Sequence, residues 1–379
     1  MLLMQPGPTP VAKEVETIMT KKMVSFRDPA FISDMKSVIE DLKNIWRSHN
    51  AFVIPGTGTL GMEIAICNTV KRGDRVLVVS HGSFGDRFID ICNSRDIEVD
   101  LLKSKDGTIV PVSEIEAQLK KHNYKAITVT HVDTSTGVKA PIFEIRDMLK
   151  QFEDIIFILD TVCSAGSERI YLDEAGVDIM FTGSQKSFGM TPGLSIIWTS
   201  EKFLKRRDDL GKIYEFYNDL NNWLPVMEDP AKYFSTPPIT LIWGLKEVIT
   251  LMKKEGIEAR YNRHIKNAKA FSEGLIAMGY SMFVEKEEER TCSLANIKYP
   301  EGVEIDDALF RETLYKKGVD IASGYGPYLG QIIRISHMGN VDAKILEIVL
   351  DRLEETMIEL NIPVTPGKGK ETFKAALNY

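Results

Sequence analysis

Apolar and polar positions change their spacing several times along this chain, and each change predicts an element. Ile32, Met35, Ile39, Leu42 and Trp46 recur at helical spacing, so the stretch from about Val11 to His49 reads as mostly helical. The short apolar run Ala51–Ile54 follows and ends at Pro55-Gly56-Thr57-Gly58-Thr59, after which a helical pattern returns to about Val70. From there strand and helix patterns alternate. Arg75–Ser80, Ala126–His131, Ile155–Leu159, Ile179–Thr182 and Leu194–Thr199 read as strands, with Phe84–Ser94 and Ile142–Phe152 as helices between them. The run IIFIL is apolar without alternation, as a strand buried on both faces must be. Such strands, separated by amphipathic helices, predict an α/β fold with a mainly parallel sheet between helices.

Two long helices are predicted at Thr240–Lys254 and Ile257–Met278. Beyond them the character shifts to shorter pieces: the Cys292–Ile297 run, a Phe310–Lys317 helix, an Ile332–Ser336 strand and an Ala343–Leu360 helix. These suggest a smaller α+β domain. The expected division is an N-terminal arm over 1–14, extended because of its Pro and Gly residues, a large domain over 15–255 and a small C-terminal domain over 256–379.

Composition narrows the function. A chain of 379 residues exceeds one ordinary core. Its net charge of −7 argues against wrapping a polyanion, so nucleic acid is not an expected partner. No apolar stretch approaches the ~18 residues of a membrane span, and the N-terminus lacks a basic leader, so the expected location is the cytoplasm. Cys67, Cys92, Cys163 and Cys292 are scattered and the histidines form no H-x-x-x-H pair, so neither a disulfide framework nor a metal site is expected.

Candidate chemistry gathers at strand ends, where parallel sheets place their ligands. Asp160 closes the IIFIL strand, and Lys186 lies in the Thr182–Ser187 loop one β-α-β step later. Read alone, a strand-end aspartate is a turn residue and a loop lysine is solvated. Together they suit a pyridine ring: the carboxylate keeps the ring nitrogen protonated, and the amine forms an imine with an aldehyde. The Gly56–Thr59 loop opens a helix whose N–H groups can cradle a phosphate, and Phe84 supplies an aromatic face at another strand end. Gly56-Thr57-Gly58-Thr59-Leu60-Gly61 also satisfies the G-x-G-x-x-G pattern of an NAD-dependent oxidoreductase. The next strand, RVLVVS, ends without the carboxylate that would hold the ribose.

The segments PGPTP, PGTGTLGMEIA, HGSFGDR, HVDTSTG, LDTVCSAG, TGSQKSFGMTPG, YFSTPP and RISHMGN, in this order from Pro6 to about Gly339, resemble the class V aminotransferases. These are pyridoxal-phosphate (PLP) enzymes of fold type I, and the likeness is greatest to the alanine–glyoxylate and serine–pyruvate members. The resemblance implies PLP carried as a Schiff base on Lys186, which also shuttles the proton. It implies Asp160 on the pyridine nitrogen, Val162 and Phe84 on the two ring faces, and Thr134 beside the ring. Thr57, Gly58, Thr59 and Gln185 would line the phosphate cradle. Tyr233 and Thr236 would reach the phosphate of a neighbouring subunit, making the active unit a homodimer. Arg334 would grip the substrate carboxylate, and Gly7 would border the substrate. The implied reaction is transamination between an alanine- or serine-type amino acid and glyoxylate or pyruvate. Within the group the alternatives are a 2-aminoethylphosphonate–pyruvate enzyme or an aspartate-using one. Two positions depart from the pattern: Thr59 stands where mammalian-type members have histidine, and Asp133 where Glu is usual. A cysteine desulfurase would need a nucleophilic cysteine on a late mobile loop. The only late cysteine, Cys292, sits in a strand-like run instead.

Overall fold

The computed structural model describes residues 1–378. Its centre is a seven-stranded sheet: β1 (Asn50–Gly56), β2 (Arg75–Ser80), β3 (Glu98–Lys103), β4 (Ala126–Thr130), β5 (Ile156–Asp160), β6 (Ile179–Gly183) and β7 (Gly193–Thr199), in the order β1-β7-β6-β5-β4-β2-β3. Every residue of β4, β5 and β6 is buried, because helices cover both faces. β7 departs from the expected parallel run. It pairs antiparallel with both β1 and β6, since the short Ser184–Pro192 connection cannot make the crossover that parallel neighbours require. β3 escaped the sequence reading. It is a half-exposed edge strand whose Glu98–Lys103 pattern carries no long apolar run.

The expected helical stretch from Val11 to His49 is interrupted. It forms helices Lys13–Met19 and Pro29–Trp46. Asp28 starts the second, its carboxylate accepting the N–H groups of Ala30 (2.8 Å) and Phe31 (3.3 Å), with Pro29 in the first turn. Met35, Ile39, Leu42 and Trp46 are buried as their spacing requires, while Ile32 sits at the rim.

Two apolar cores organise the chain. One gathers residues from Val15 to Met252 around the seven-stranded sheet. The other gathers Met4 and residues from Ala270 to Phe373 around a four-stranded antiparallel sheet that includes Leu294–Lys298 and Ile332–Ser336. The N-terminal arm joins them. Leu2–Leu3 pairs in parallel with Val319–Asp320, and Thr9 then donates from its N–H to the Gln185 carbonyl (3.0 Å). No helix among the described residues is long and apolar enough to cross a membrane.

β1 and β2 are not neighbours in the sheet. The Gly56–Gly61 pattern therefore does not sit in the adjacent β-α-β unit that a dinucleotide fold needs.

Candidate active site

Because β1, β2, β4, β5 and β6 share one direction, their carboxyl ends form a single edge, and β7 begins there. Lys186 leaves the end of β6 and points under the N-terminal arm. Its ammonium donates to the Pro6 carbonyl, and Thr9 Oγ1 donates to the Lys186 carbonyl (2.7 Å). Gly7, with φ of +140°, lies so close that a Cβ there would stand 2.8 Å from both Cε and Nζ of Lys186. Only glycine fits that approach. Burial pushes the Lys186 ammonium below the ordinary lysine range; Arg334 adds to the shift and Asp160 opposes it.

Asp160 ends β5 and is 4% exposed. Its Oδ1 accepts the Val162 N–H at 2.9 Å. One donor is too few for a buried carboxylate, and burial raises its pKa to about 7, with Asp133 pushing in the same direction against Lys186 and Arg87. A cation placed here would relieve that penalty. Val162 in turn abuts the helix Gly58–Cys67: a Cβ on Gly58 would meet Val162 Cγ2 at 2.5 Å, so the helix N-terminus approaches the strand end closely. Thr57 precedes that helix with no side-chain cap bond. The buried Gln185 Oε1 has no partner.

Phe84 opens the helix Ser83–Asn93. Asp133 holds that helix start with Oδ2, which accepts from Phe84 N (2.9 Å) and Gly85 N (3.0 Å). Its Oδ1 takes the Ser135 N–H (2.9 Å) and hydroxyl (2.6 Å). One face of Phe84 stacks on Tyr325, with centroids 5.3 Å apart and planes at 22°. The Arg87 guanidinium lies 4.8 Å from the Phe84 centroid and donates to Thr59 Oγ1 (3.2 Å).

Arg334 lies within the strand Ile332–Ser336 and is 9% exposed. Nε donates to the Ser323 carbonyl (2.8 Å) and Nη1 to that of Thr134 (3.4 Å), while Tyr325 stands 5.8 Å away. Nη2 has no protein partner among the described residues. With Nε and Nη1 held by carbonyls, Nη2 is left to donate to an anion.

The structure thus gathers Gly7, Gly58, Phe84, Thr134, Asp160, Val162, Gln185, Lys186 and Arg334 around one edge, with Thr57 and Thr59 at the adjoining helix start. Tyr233 and Thr236 are not drawn in. Tyr233 packs on Trp223 (5.5 Å) with an unpartnered hydroxyl, and Thr236 is exposed.

Several contributors have no signal in the linear sequence. Asp133 acts by capping a helix far away in the chain. Tyr325 covers Phe84. Arg260, 2% exposed, donates to the carbonyls of Gly166 (3.0 Å) and of Ser187 (2.8 Å), the residue after Lys186. Cys292 precedes its strand, is 6% exposed, donates to the Ser167 carbonyl (3.3 Å), and its thiol is pushed well above the ordinary range by burial. It is therefore no nucleophile. No group of metal-ligating side chains occurs among the described residues.

The class-V aminotransferase profile matches residues 25–340. The chain is 37% identical to an uncharacterized aminotransferase of Methanocaldococcus jannaschii, over 99% of this chain and 97% of that one. It is 32% identical to alanine–glyoxylate aminotransferase 1 of Saccharomyces cerevisiae, over 89% and 91%. The ureidoglycine–glyoxylate aminotransferase structure from Bacillus subtilis superimposes with a TM-score of 0.94 at 27% identity, covering 100% and 98% of the two chains. With its fold-type-I sheet and the lysine and aspartate on one edge of it, this chain belongs to the class-V aminotransferase family and is an aminotransferase.

Proposed function

We propose that the chain binds pyridoxal 5′-phosphate at this edge and transfers an amino group from an alanine- or serine-type amino acid to glyoxylate or pyruvate. The observation that carries the reading is the pairing of a buried, donor-poor Asp160 with a Lys186 amine of lowered proton affinity. The site also suits the rest of such a cofactor. The N-terminus of helix Gly58–Cys67 suits a phosphate, the Gln185 side chain can add its N–H groups as donors, and Phe84 and Val162 offer two apolar faces to a flat ring.

When bound, the cofactor supplies an aldehyde to receive the amino group and a ring that accepts electrons from the substrate carbon. The residues do the rest. Asp160 keeps a proton on the ring nitrogen. Lys186, held under the arm by Pro6 and Thr9, anchors the cofactor and then carries the proton between the two carbons concerned. Its lowered proton affinity makes it a readier base than an ordinary lysine. Thr57, Gly58, Thr59 and Gln185 hold the phosphate, and Thr134 lies beside the ring. Arg334 aligns the substrate carboxylate through Nη2, with Gly7 leaving room for the substrate.

Tyr233 and Thr236 serve the site of a second copy in a homodimer. This is supported by the exposed aromatics beside them: Phe216 is 68% exposed and packs on Phe234 (5.6 Å), which is itself 38% exposed. Four free, buried cysteines fit a cytoplasmic enzyme.

A second reading, an amino donor with an anionic side chain such as aspartate, is favoured by Arg87. Its guanidinium faces Phe84 and makes no ion pair among the described residues. Steady-state rates with alanine, serine and aspartate separate the two readings. If Arg87→Met lowers kcat/KM for aspartate at least about tenfold and spares alanine, the second reading holds.

The primary test is absorbance of the purified protein with pyridoxal phosphate, beside Lys186→Ala. The wild type is expected to show a band in the visible and to turn over alanine with glyoxylate. The variant is expected to lose both. An unchanged spectrum and rate in Lys186→Ala would overturn the assignment.

A further inference from the structure

One large cavity does not contain Lys186 or Asp160. It lies between the helices Ile142–Leu149 and Ile257–Ala277 and has a volume of about 780 Å³. That size is in the range of small-molecule sites.

Its lining is rich in charge, with Glu144, Arg169, Lys269, Glu273, Glu289 and Arg290 among it, and three further polar residues carry atoms with no protein partner among the described residues. Glu168 is 5% exposed, and its Oε1 accepts from Thr291 Oγ1 (2.6 Å) and Cys292 N (2.6 Å). Its second oxygen has no protein partner among the described residues. Lys139 is fixed by its backbone, donating to the Glu289 carbonyl (2.8 Å), and its ammonium enters no ion pair or hydrogen bond among the described residues. His131 is 3% exposed with an unpartnered Nδ1. Burial raises the Glu168 carboxyl, but Lys139 and His131 outweigh it and hold the group below the ordinary range. Burial also pushes His131 down to about 4. These three therefore offer one anion, one cation and one neutral imidazole at neutral pH. Apolar surface in the lining comes from Ile142, Phe143 and Ile265 among others.

A simple anion would sit against Glu168, and a simple cation against Lys139. A ligand bearing both charges satisfies Glu168 and Lys139 together. We propose that this cavity binds a zwitterionic α-amino acid with an apolar side chain: its ammonium meets Glu168, its carboxylate meets Lys139 and His131, and its side chain lies on Ile142, Phe143 and Ile265. The cavity is wired to the sheet edge. His131 N–H donates to the Asp160 carbonyl (2.9 Å), and Ser167, beside Glu168, shares a hydrogen bond with Ser187 (3.0 Å), beside Lys186.

The test is calorimetric titration of L-leucine into holoenzyme treated with borohydride, which locks the cofactor on its lysine. One L-leucine per chain is expected. Lys139→Met and Glu168→Gln should each weaken it at least about tenfold. Ile265→Trp, at an exposed rim position, should block it without touching the core, and Arg334→Ala should leave it intact. Leucinamide, without the carboxylate, and 4-methylpentanoate, without the ammonium, should not bind. Absence of L-leucine binding overturns the proposal. So does binding that Arg334→Ala abolishes and the Lys139, Glu168 and Ile265 variants retain, because that ligand sits at the Lys186 edge.

Discussion

The carboxylate of Asp133 accepts the backbone N–H of Phe84 at 2.9 Å, across a gap of 49 positions in the chain. That bond, with its companion from Gly85, sets where the aromatic face stands relative to Asp160. Asp133→Asn keeps the size but turns one acceptor oxygen into a donor against N–H groups. Stability should fall by about 1–3 kcal/mol, read as a lower denaturant midpoint at unchanged slope. Affinity for pyridoxal phosphate should fall with it. Equal midpoints in variant and wild type would show that the capping is not stabilising.

Asp160 makes stability depend on pH in a defined direction. Its folded-state pKa is raised to about 7, against about 4 in an unfolded chain. Between those values the cofactor-free folded chain holds a proton that the unfolded chain has released. Stability therefore falls as pH rises through this window. Asp160→Asn cannot titrate, so its stability relative to wild type should improve from pH 4 to pH 7. Midpoints measured without cofactor across that range check this, and a constant difference would count against it. In the holoenzyme the same variant should lose about 100-fold in kcat, because the ring proton is no longer held by a charge.

Arg334 is fastened by Ser323 and Thr134 with Nη2 left unpartnered among the described residues. Arg334→Ala should raise KM for the amino acid about 100-fold, the scale expected when a charge-assisted pair in a buried site is lost. Cofactor affinity should change far less. Titrating cofactor and substrate separately measures the two, and parallel losses would refute a substrate role.

Tyr325 covers Phe84 and stands by Arg334. Tyr325→Ala should raise KM several-fold, about what a modest cation–π and stacking contact contributes, with kcat nearly unchanged. A fall in kcat with KM constant would place Tyr325 in the chemical step instead.

What was readable in the linear chain was local. A run of apolar residues without alternation announces a strand buried on both faces, and IIFIL does so before Asp160. Gly56-Thr57-Gly58 announces the opening of a helix. These signals span only a few residues, because period and turn chemistry act over one or two turns of backbone. They were enough to put Asp160 and Lys186 at strand ends and to expect an α/β sheet with its chemistry on the carboxyl edge.

The tertiary structure decided the rest. The direction of β7, the edge strand β3, the cap of Asp133 on Phe84, the reach of Arg260 to Ser187 and the stack of Tyr325 on Phe84 all join pieces distant in the chain. A polar side chain that finds its partner across such a distance leaves no periodic trace, since its position follows from how the layers pack. The charged wall of the cavity is of the same kind: His131, Lys139 and Glu168 are unremarkable until folding brings them to face one space.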